Sequence, residues 1–190
     1  MRIIRRIMVA MLALLVLLVV IGLFLPQQST MRRDILIKAA PEQIYAVLEK
    51  PREFNNWSPW AGIDPNAKYE FYGPERGVGA AMRWSSKDPH VGVGGSKIIE
   101  VDPNRRIRVE LDFGDQGINW SEYRLRPEGH ATRVVWEFEM HAGMNPIQRW
   151  FGLMIDKLVG PSYEEGLRNL KALVEKRAAE PAGAERAPGG

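Results

Sequence analysis

The stretch Trp57-Ser58-Pro59-Trp60 stands at the turning point of the chain: two short helical signals come before it, and six strand-like segments follow. Upstream, Arg33-Asp-Ile-Leu-Ile-Lys38 reads as a first strand. Ala40-Pro41-Glu42 then opens a helix, because proline suits the first helical turn and Ile44, Val47 and Leu48 fall on one face. Pro51 interrupts that helix, and a second short one carries Phe54 towards Trp57. Downstream, strands are expected over Lys68–Tyr72, Ala80–Ser85, Ser96–Val101, Arg106–Phe113, Ile118–Arg126 and Thr132–Met140. Turn chemistry separates them: Gly73-Pro74, Asp88-Pro89, Asp102-Pro103-Asn104, Gly114-Asp115 and Pro127-Glu128-Gly129.

Alternation is cleanest late in the chain. Ile107, Val109, Leu111 and Phe113 share one face, as do Val134, Trp136, Phe138 and Met140, with charged residues interleaved. Strands of this kind build an antiparallel sheet with one wet face. The period then becomes helical. Ile147, Phe151, Met154 and Leu158 form one stripe, and Tyr163, Leu167, Leu170 and Val174 a second, out of phase with the first across Gly160-Pro161. The expectation is one long helix laid across the apolar face of the sheet, in an α+β fold of about seven strands.

The order of elements and six local sequences resemble the SRPBCC superfamily, with its START-like helix-grip fold, in the polyketide cyclase/dehydrase-like branch. Those sequences are Ala40-Pro-Glu-Gln-Ile-Tyr45, Asn56-Trp-Ser-Pro-Trp60, Gly73-Pro-Glu-Arg-Gly-Val-Gly79, Glu100-Val-Asp-Pro103, Gly129-His-Ala-Thr-Arg133 and Gly160-Pro-Ser-Tyr-Glu-Glu-Gly-Leu-Arg-Asn-Leu-Lys171. The resemblance covers nearly all of residues 31–178. It implies a curved sheet gripping the last helix around an apolar cavity that binds lipids, sterols, polyketides or other hydrophobic molecules. Some relatives catalyse cyclisation, and others activate a heat-shock chaperone in the cytosol. No universal catalytic set belongs to the family, so the catalytic residues stay unknown.

Ahead of this domain, Ile7–Leu25 is an uncharged apolar run of 19 residues. At ~1.5 Å per residue it matches a hydrocarbon core of ~30 Å. The rival is a cleavable signal peptide. Arg2, Arg5 and Arg6 would suit one, but the run is too long and Leu25-Pro26-Gln27-Gln28 offers no small-residue cleavage site. An uncleaved single-pass anchor is expected, with the N-terminus cytoplasmic and the C-terminal domain exported, because three arginines precede the span and two, Arg32 and Arg33, follow it closely. The division expected is anchor and exit over 1–28, domain over 29–178 and a disordered, Ala/Pro/Gly-rich tail over 179–190.

Composition narrows the partners. Of 26 basic residues three precede Pro26, leaving 23 against 23 acids, so the net charge of +3 belongs to the anchor and not to the domain. A nucleic-acid-binding surface would carry a basic excess there, so none is expected. There is no cysteine, and His90, His130 and His141 lack metal-site spacing, so neither metal nor cofactor is expected. Gly92-Val-Gly-Gly-Ser-Lys97 precedes a strand rather than a helix and reads as a flexible hairpin loop, not a phosphate cradle.

Glu110, Asp112, Glu137 and Glu139 read as a solvated outer face, while Arg83, Glu100 and Tyr123 are the ionisable groups to inspect for chemistry. The cavity-lining candidates are Trp57, Trp60, Phe71, Met82, Trp84, Leu111, Tyr123, Trp136, Phe138, Met154, Leu158, Tyr163 and Leu167. Ordinary core packing is the competing explanation for each of them. The expected function is a membrane-anchored binding protein for a lipid or other hydrophobic small molecule. The alternative is a cyclase/dehydratase using the same cavity.

Overall fold

The computed structural model describes residues 2–180. Helix α1 (Arg2–Phe24) carries Arg2, Arg5 and Arg6 in its first turns, is apolar from Ile7 onwards, and is exposed except at Gly22. Three residues link it to strand β1 (Gln28–Ile37), which begins five residues earlier than the sequence pattern places it. Of the polar exit expected over Pro26–Thr30, Gln28 to Thr30 is strand, because Gln28–Arg32 pairs with the end of the last strand and Met31 drops into the core. Next come α2 (Pro41–Leu48) and α3 (Pro51–Phe54), each opening on a proline. In α2, Ile44, Val47 and Leu48 are buried as their spacing predicts, and the Gln43 side chain accepts a hydrogen bond from the Ala40 N–H at 3.1 Å.

The remaining strands are β2 (Lys68–Tyr72), β3 (Ala81–Ser85), β4 (Val93–Asp102), β5 (Arg106–Asp112), β6 (Ile118–Glu128) and β7 (Ala131–His141). They form one antiparallel sheet in the order β1-β7-β6-β5-β4-β3-β2. The expected loop Gly92–Lys97 is a correction. From Val93 onwards it is strand paired with β3, and the bare Gly94 leaves room for the Trp84 ring. A register shift between Ile98 and Glu100 bends β4.

Helix α4 (Pro146–Ala179) is one continuous helix with Pro161 inside it, capped by the Asn145 side chain, which accepts from the Ile147 and Gln148 N–H groups. Its buried residues are Arg149, Gly152, Ile155, Gly160, Tyr163, Gly166, Leu167, Leu170 and Val174. The first apolar stripe, Ile147, Phe151, Met154 and Leu158, faces away from the sheet, contrary to expectation. The reason is steric. A side chain at Gly152 would meet Ser29, and one at Gly160 would meet the Arg33 guanidinium, so the closest approach to β1 takes glycine rather than bulk. Of the expected tail, Ala179 ends the helix, Glu180 is a bend and the rest lies outside the described residues.

The outer face of the sheet is charged and paired. Glu122, buried beneath arginines, lies 3.5 Å from Arg106, 3.4 Å from Arg108 and 2.5 Å from Arg124. Glu137 and Glu139 sit on the same face and pair with Arg124 at 3.2 Å and Arg108 at 3.1 Å. The inner face meets α2, α3 and α4.

Candidate functional site

Between sheet and helix lies a cluster of aromatic rings centred on Trp136. Tyr123, its register partner on β6, stacks on one side with centroids 5.4 Å apart. Tyr163 of α4 stacks at 3.8 Å. Trp57 meets Trp136 edge-on at 5.2 Å, and Trp60 and Phe54 do so at 6.2 and 6.5 Å.

The sequence folds Trp57 and Trp60 into place through a turn that continues α3. The Trp57 and Ser58 N–H groups both donate to the Phe54 carbonyl, and the Ser58 hydroxyl accepts from the Trp60 N–H at 3.2 Å. Pro59 then fits against Gly166, where an added Cβ would lie 3.1 Å from the proline and 2.8 Å from the Trp136 ring. The missing side chain in mid-helix is what admits this turn.

The polar tips within the cluster are few. The Trp136 indole donates to the Ser121 hydroxyl at 2.8 Å, and Ser121 donates to the Glu137 carbonyl at 3.1 Å. Burial pushes both tyrosine hydroxyls well above the ordinary phenol value. For Tyr123 the neighbouring Tyr163 adds to the effect, whereas Ser121 opposes it at Tyr163. At neutral pH both are therefore uncharged. The Trp57 indole N–H is buried, 2% exposed as a residue, and has no hydrogen-bond partner among the described residues. A buried donor without a partner costs free energy unless something accepts from it.

Six predicted residues thus come together: Trp57, Trp60, Tyr123, Trp136, Phe138 and Tyr163. Leu167 is buried one turn further along α4. Phe71 and Met82 are cross-strand partners on β2 and β3, with the Arg52 guanidinium 4.5 Å above the Phe71 ring. Trp84 lies at the far side against Phe113 and donates to the Val91 carbonyl at 3.2 Å, and Leu111 is partly buried on β5. Met154 and Leu158 are corrections, since both lie half-exposed on the outer side of α4. The roles of Phe54 and Ser121 escaped the sequence. Phe54 is a lone aromatic in a four-residue helix, and Ser121 is polar at an inward strand position.

The groups picked out for chemistry separate in the same way. Glu100 is exposed and pairs with Arg106, and Arg83 is exposed over the Tyr72 ring, so of those three only Tyr123 faces inward. Among the described residues no three potential ligands cluster to hold a metal. The rings occupy the space between sheet and helix. Two surface concavities lie elsewhere, one under Arg108 and Trp120 on the outer face and one beside Arg5 and Ala13 of α1.

The family described as "Polyketide cyclase / dehydrase and lipid transport" matches residues 28–175. The chain belongs to this family. The polyketide cyclase/dehydrase and lipid transport match begins at the first residue of β1 and ends inside α4, leaving α1 outside it. No curated protein sequence matches.

Several solved structures share the fold of this family member. Norcoclaurine synthase from Thalictrum flavum, in complex with dopamine and hydroxybenzaldehyde, aligns with a TM-score of 0.61 at 18% identity, over 82% of this chain and 91% of that one. The Zhui aromatase/cyclase from Streptomyces sp. R1128 aligns with a TM-score of 0.57 at 17% identity, over 82% and 99%. The Aha1 dimer from Colwellia psychrerythraea aligns with a TM-score of 0.53 at 17% identity, over 77% and 96%. At such identities the likeness is one of fold, the helix-grip arrangement of a seven-stranded sheet around a long C-terminal helix.

Proposed function

We propose that the protein is a membrane-anchored binder of a lipid or other hydrophobic small molecule, held between the sheet and α4 at the Trp136 cluster. The observation that carries this is the unpartnered Trp57 indole N–H inside an otherwise aromatic site. An apolar molecule bearing one carbonyl or hydroxyl oxygen would replace ring–ring contacts with its own and supply the missing acceptor. Because the rings fill the space, binding requires them to part. Trp60 and Phe54 are only partly buried and border the cluster, so they are the movable wall.

Cyclase or dehydratase chemistry needs an acid or base at the substrate. The carboxylate and guanidinium considered for that role lie on the outside, and a phenol raised by burial, as at Tyr123, gives up its proton poorly at neutral pH. Tyr123 and Tyr163 can donate or accept hydrogen bonds as neutral groups, which suits binding. We read α1 as a membrane span, on its length and composition, with the N-terminus cytoplasmic and the domain on the far side.

The test is native mass spectrometry of the full chain released from detergent after exposure to a total lipid extract, with Gly166→Leu as the comparison. A stoichiometric bound mass present in the natural chain and lost in the variant supports the proposal. Equal retention by both places the lipid on α1 and contradicts it.

A further inference from the structure

Among the described residues nothing covers the outer stripe of α4. Ile147 is 76% exposed, Phe151 43%, Met154 50% and Leu158 50%. At ~100° per residue these four lie within about 60° of one another on one side of the helix. Its start, however, is fixed against α1. The Trp150 indole donates to the Leu18 carbonyl at 3.0 Å, and Pro146 and Trp150 pack where Gly22 has no side chain. On the other side of α4, the buried Arg149 donates to the carbonyls of Leu23 and Leu25, at the C-terminal end of α1.

Those contacts give the stripe a direction. Arg149 reaches the exit end of α1, while Trp150 reaches Leu18, roughly 10 Å back along the span at ~1.5 Å per residue. The stripe lies about 170° around α4 from Arg149, so it points back along α1 towards its N-terminus. The 19 apolar residues of α1 and its exit have no length to spare against a hydrocarbon core of ~30 Å, which keeps Leu18 below the membrane surface.

We propose that this face of α4, Ile147, Phe151, Met154 and Leu158, rests in the headgroup layer of the same bilayer that α1 spans, so that the domain lies on the membrane instead of swinging from a tether. The proposal rests on the membrane-span reading of α1. It also fits the three-residue connection between Phe24 and Gln28, which is at most ~11 Å long and leaves the domain no freedom to depart. The Trp150 indole can lie below the membrane surface because its N–H is satisfied by the Leu18 carbonyl. Lys157 flanks the stripe, and acidic Asp156 lies on the opposite side, paired with Arg33 at 2.8 Å. An apolar face beside a membrane anchor, flanked by a basic residue, has the chemistry of an in-plane interfacial helix.

The chain has no cysteine, so single labels can be placed without background. Phe151→Cys and Leu158→Cys, both at exposed positions, would carry an environment-sensitive fluorophore in the full chain reconstituted into phosphatidylcholine vesicles containing nitroxide-labelled lipid. Leu15→Cys in α1 and Arg126→Cys at the far end of the sheet are the references. The expected result is loss of fluorescence at Leu15, Phe151 and Leu158, with Arg126 unquenched. Quenching at Leu15 with Phe151 and Leu158 as bright as Arg126 overturns the proposal while the span stands. No quenching even at Leu15 overturns the span and the proposal together. Concentration-dependent energy transfer between Phe151 labels, without lipid quenching, assigns the face to a second copy and also overturns it.

Discussion

Trp136 on β7 and Tyr163 on α4 stack with their ring centroids 3.8 Å apart and their planes 27° from parallel. This contact joins the long helix to the sheet at the middle of the aromatic cluster. Both rings are almost wholly buried, so truncating either one empties space that the neighbours cannot fill. Trp136→Ala is expected to destabilise the domain by about 3–5 kcal/mol and to leave Ser121 without its indole donor. Denaturant unfolding of the full chain in detergent measures it.

Gly166 faces the same ring from the helix. A Cβ there would lie 2.8 Å from Trp136, too close for ordinary contact. Gly166→Ala is expected to gain helix propensity yet lose about 1–3 kcal/mol net through overpacking. A rise in melting temperature would contradict the close approach.

Trp57 separates binding from stability. Its indole N–H makes no hydrogen bond to the described residues, so Trp57→Phe breaks none of their pairings. The variant is expected to lose less stability than Trp136→Ala and to weaken ligand retention by about fivefold, the worth of one net hydrogen bond of ~1 kcal/mol. A titration of both proteins with the lipid recovered from the natural chain checks it.

The fold was readable because its signals were local and redundant. Alternation in β5 and β7, prolines opening α2 and α3, and turn residues between strands all pointed to one arrangement. The buried face of α4 departs from its apolar periodicity for a physical reason. Hydrophobic periodicity locates the apolar stripe, but near β1 the helix turns Gly152 and Gly160 inward, because the side chains of Ser29, Met140 and Arg33 occupy the space a larger residue would need. Periodicity alone therefore points Met154 and Leu158 inward, whereas they lie outside. Aromatic identity located Trp57, Trp60, Tyr123, Trp136, Phe138 and Tyr163. Nothing in residue type reveals which indole N–H lacks an acceptor, since that depends on Ser121 reaching Trp136 and none of the described residues reaching Trp57.

Acid should destabilise the domain through its paired carboxylates. The hydrogen-bonded pair with His141, opposed by partial burial and reinforced by Arg108, holds the Glu139 carboxyl below its ordinary value. Arg33 does the same for Asp156 and Arg133 for Glu128. A lowered folded pKa contributes stability above the unfolded value and loses it as pH falls through the folded one. The melting temperature is expected to be unaffected by these groups from pH 8 to 5 and to fall below about pH 4, less steeply at high salt. A flat profile down to pH 3 would contradict these pairings.

The orientation proposed for α1 places the C-terminus across the membrane from Arg2, Arg5 and Arg6. A C-terminal alkaline phosphatase fusion is expected to be active and a C-terminal green fluorescent protein fusion dark in a bacterial host. The reverse pattern would put the domain in the cytoplasm.

The most direct test of ligand binding uses the six tryptophans as separate reporters. With the full chain labelled with 15N at the indole nitrogens and held in nanodiscs, each N–H gives its own resonance, assignable by single Trp→Phe replacements. On addition of a total lipid extract, the Trp57 signal is expected to move downfield as it gains an acceptor, with Trp60 and Trp136 shifting through ring displacement. Trp120, on the outer face beside His141, should stay in place. An unmoved Trp57 signal under saturating lipid, or shifts confined to Trp150 at the foot of α4, would contradict a binding site at the aromatic cluster.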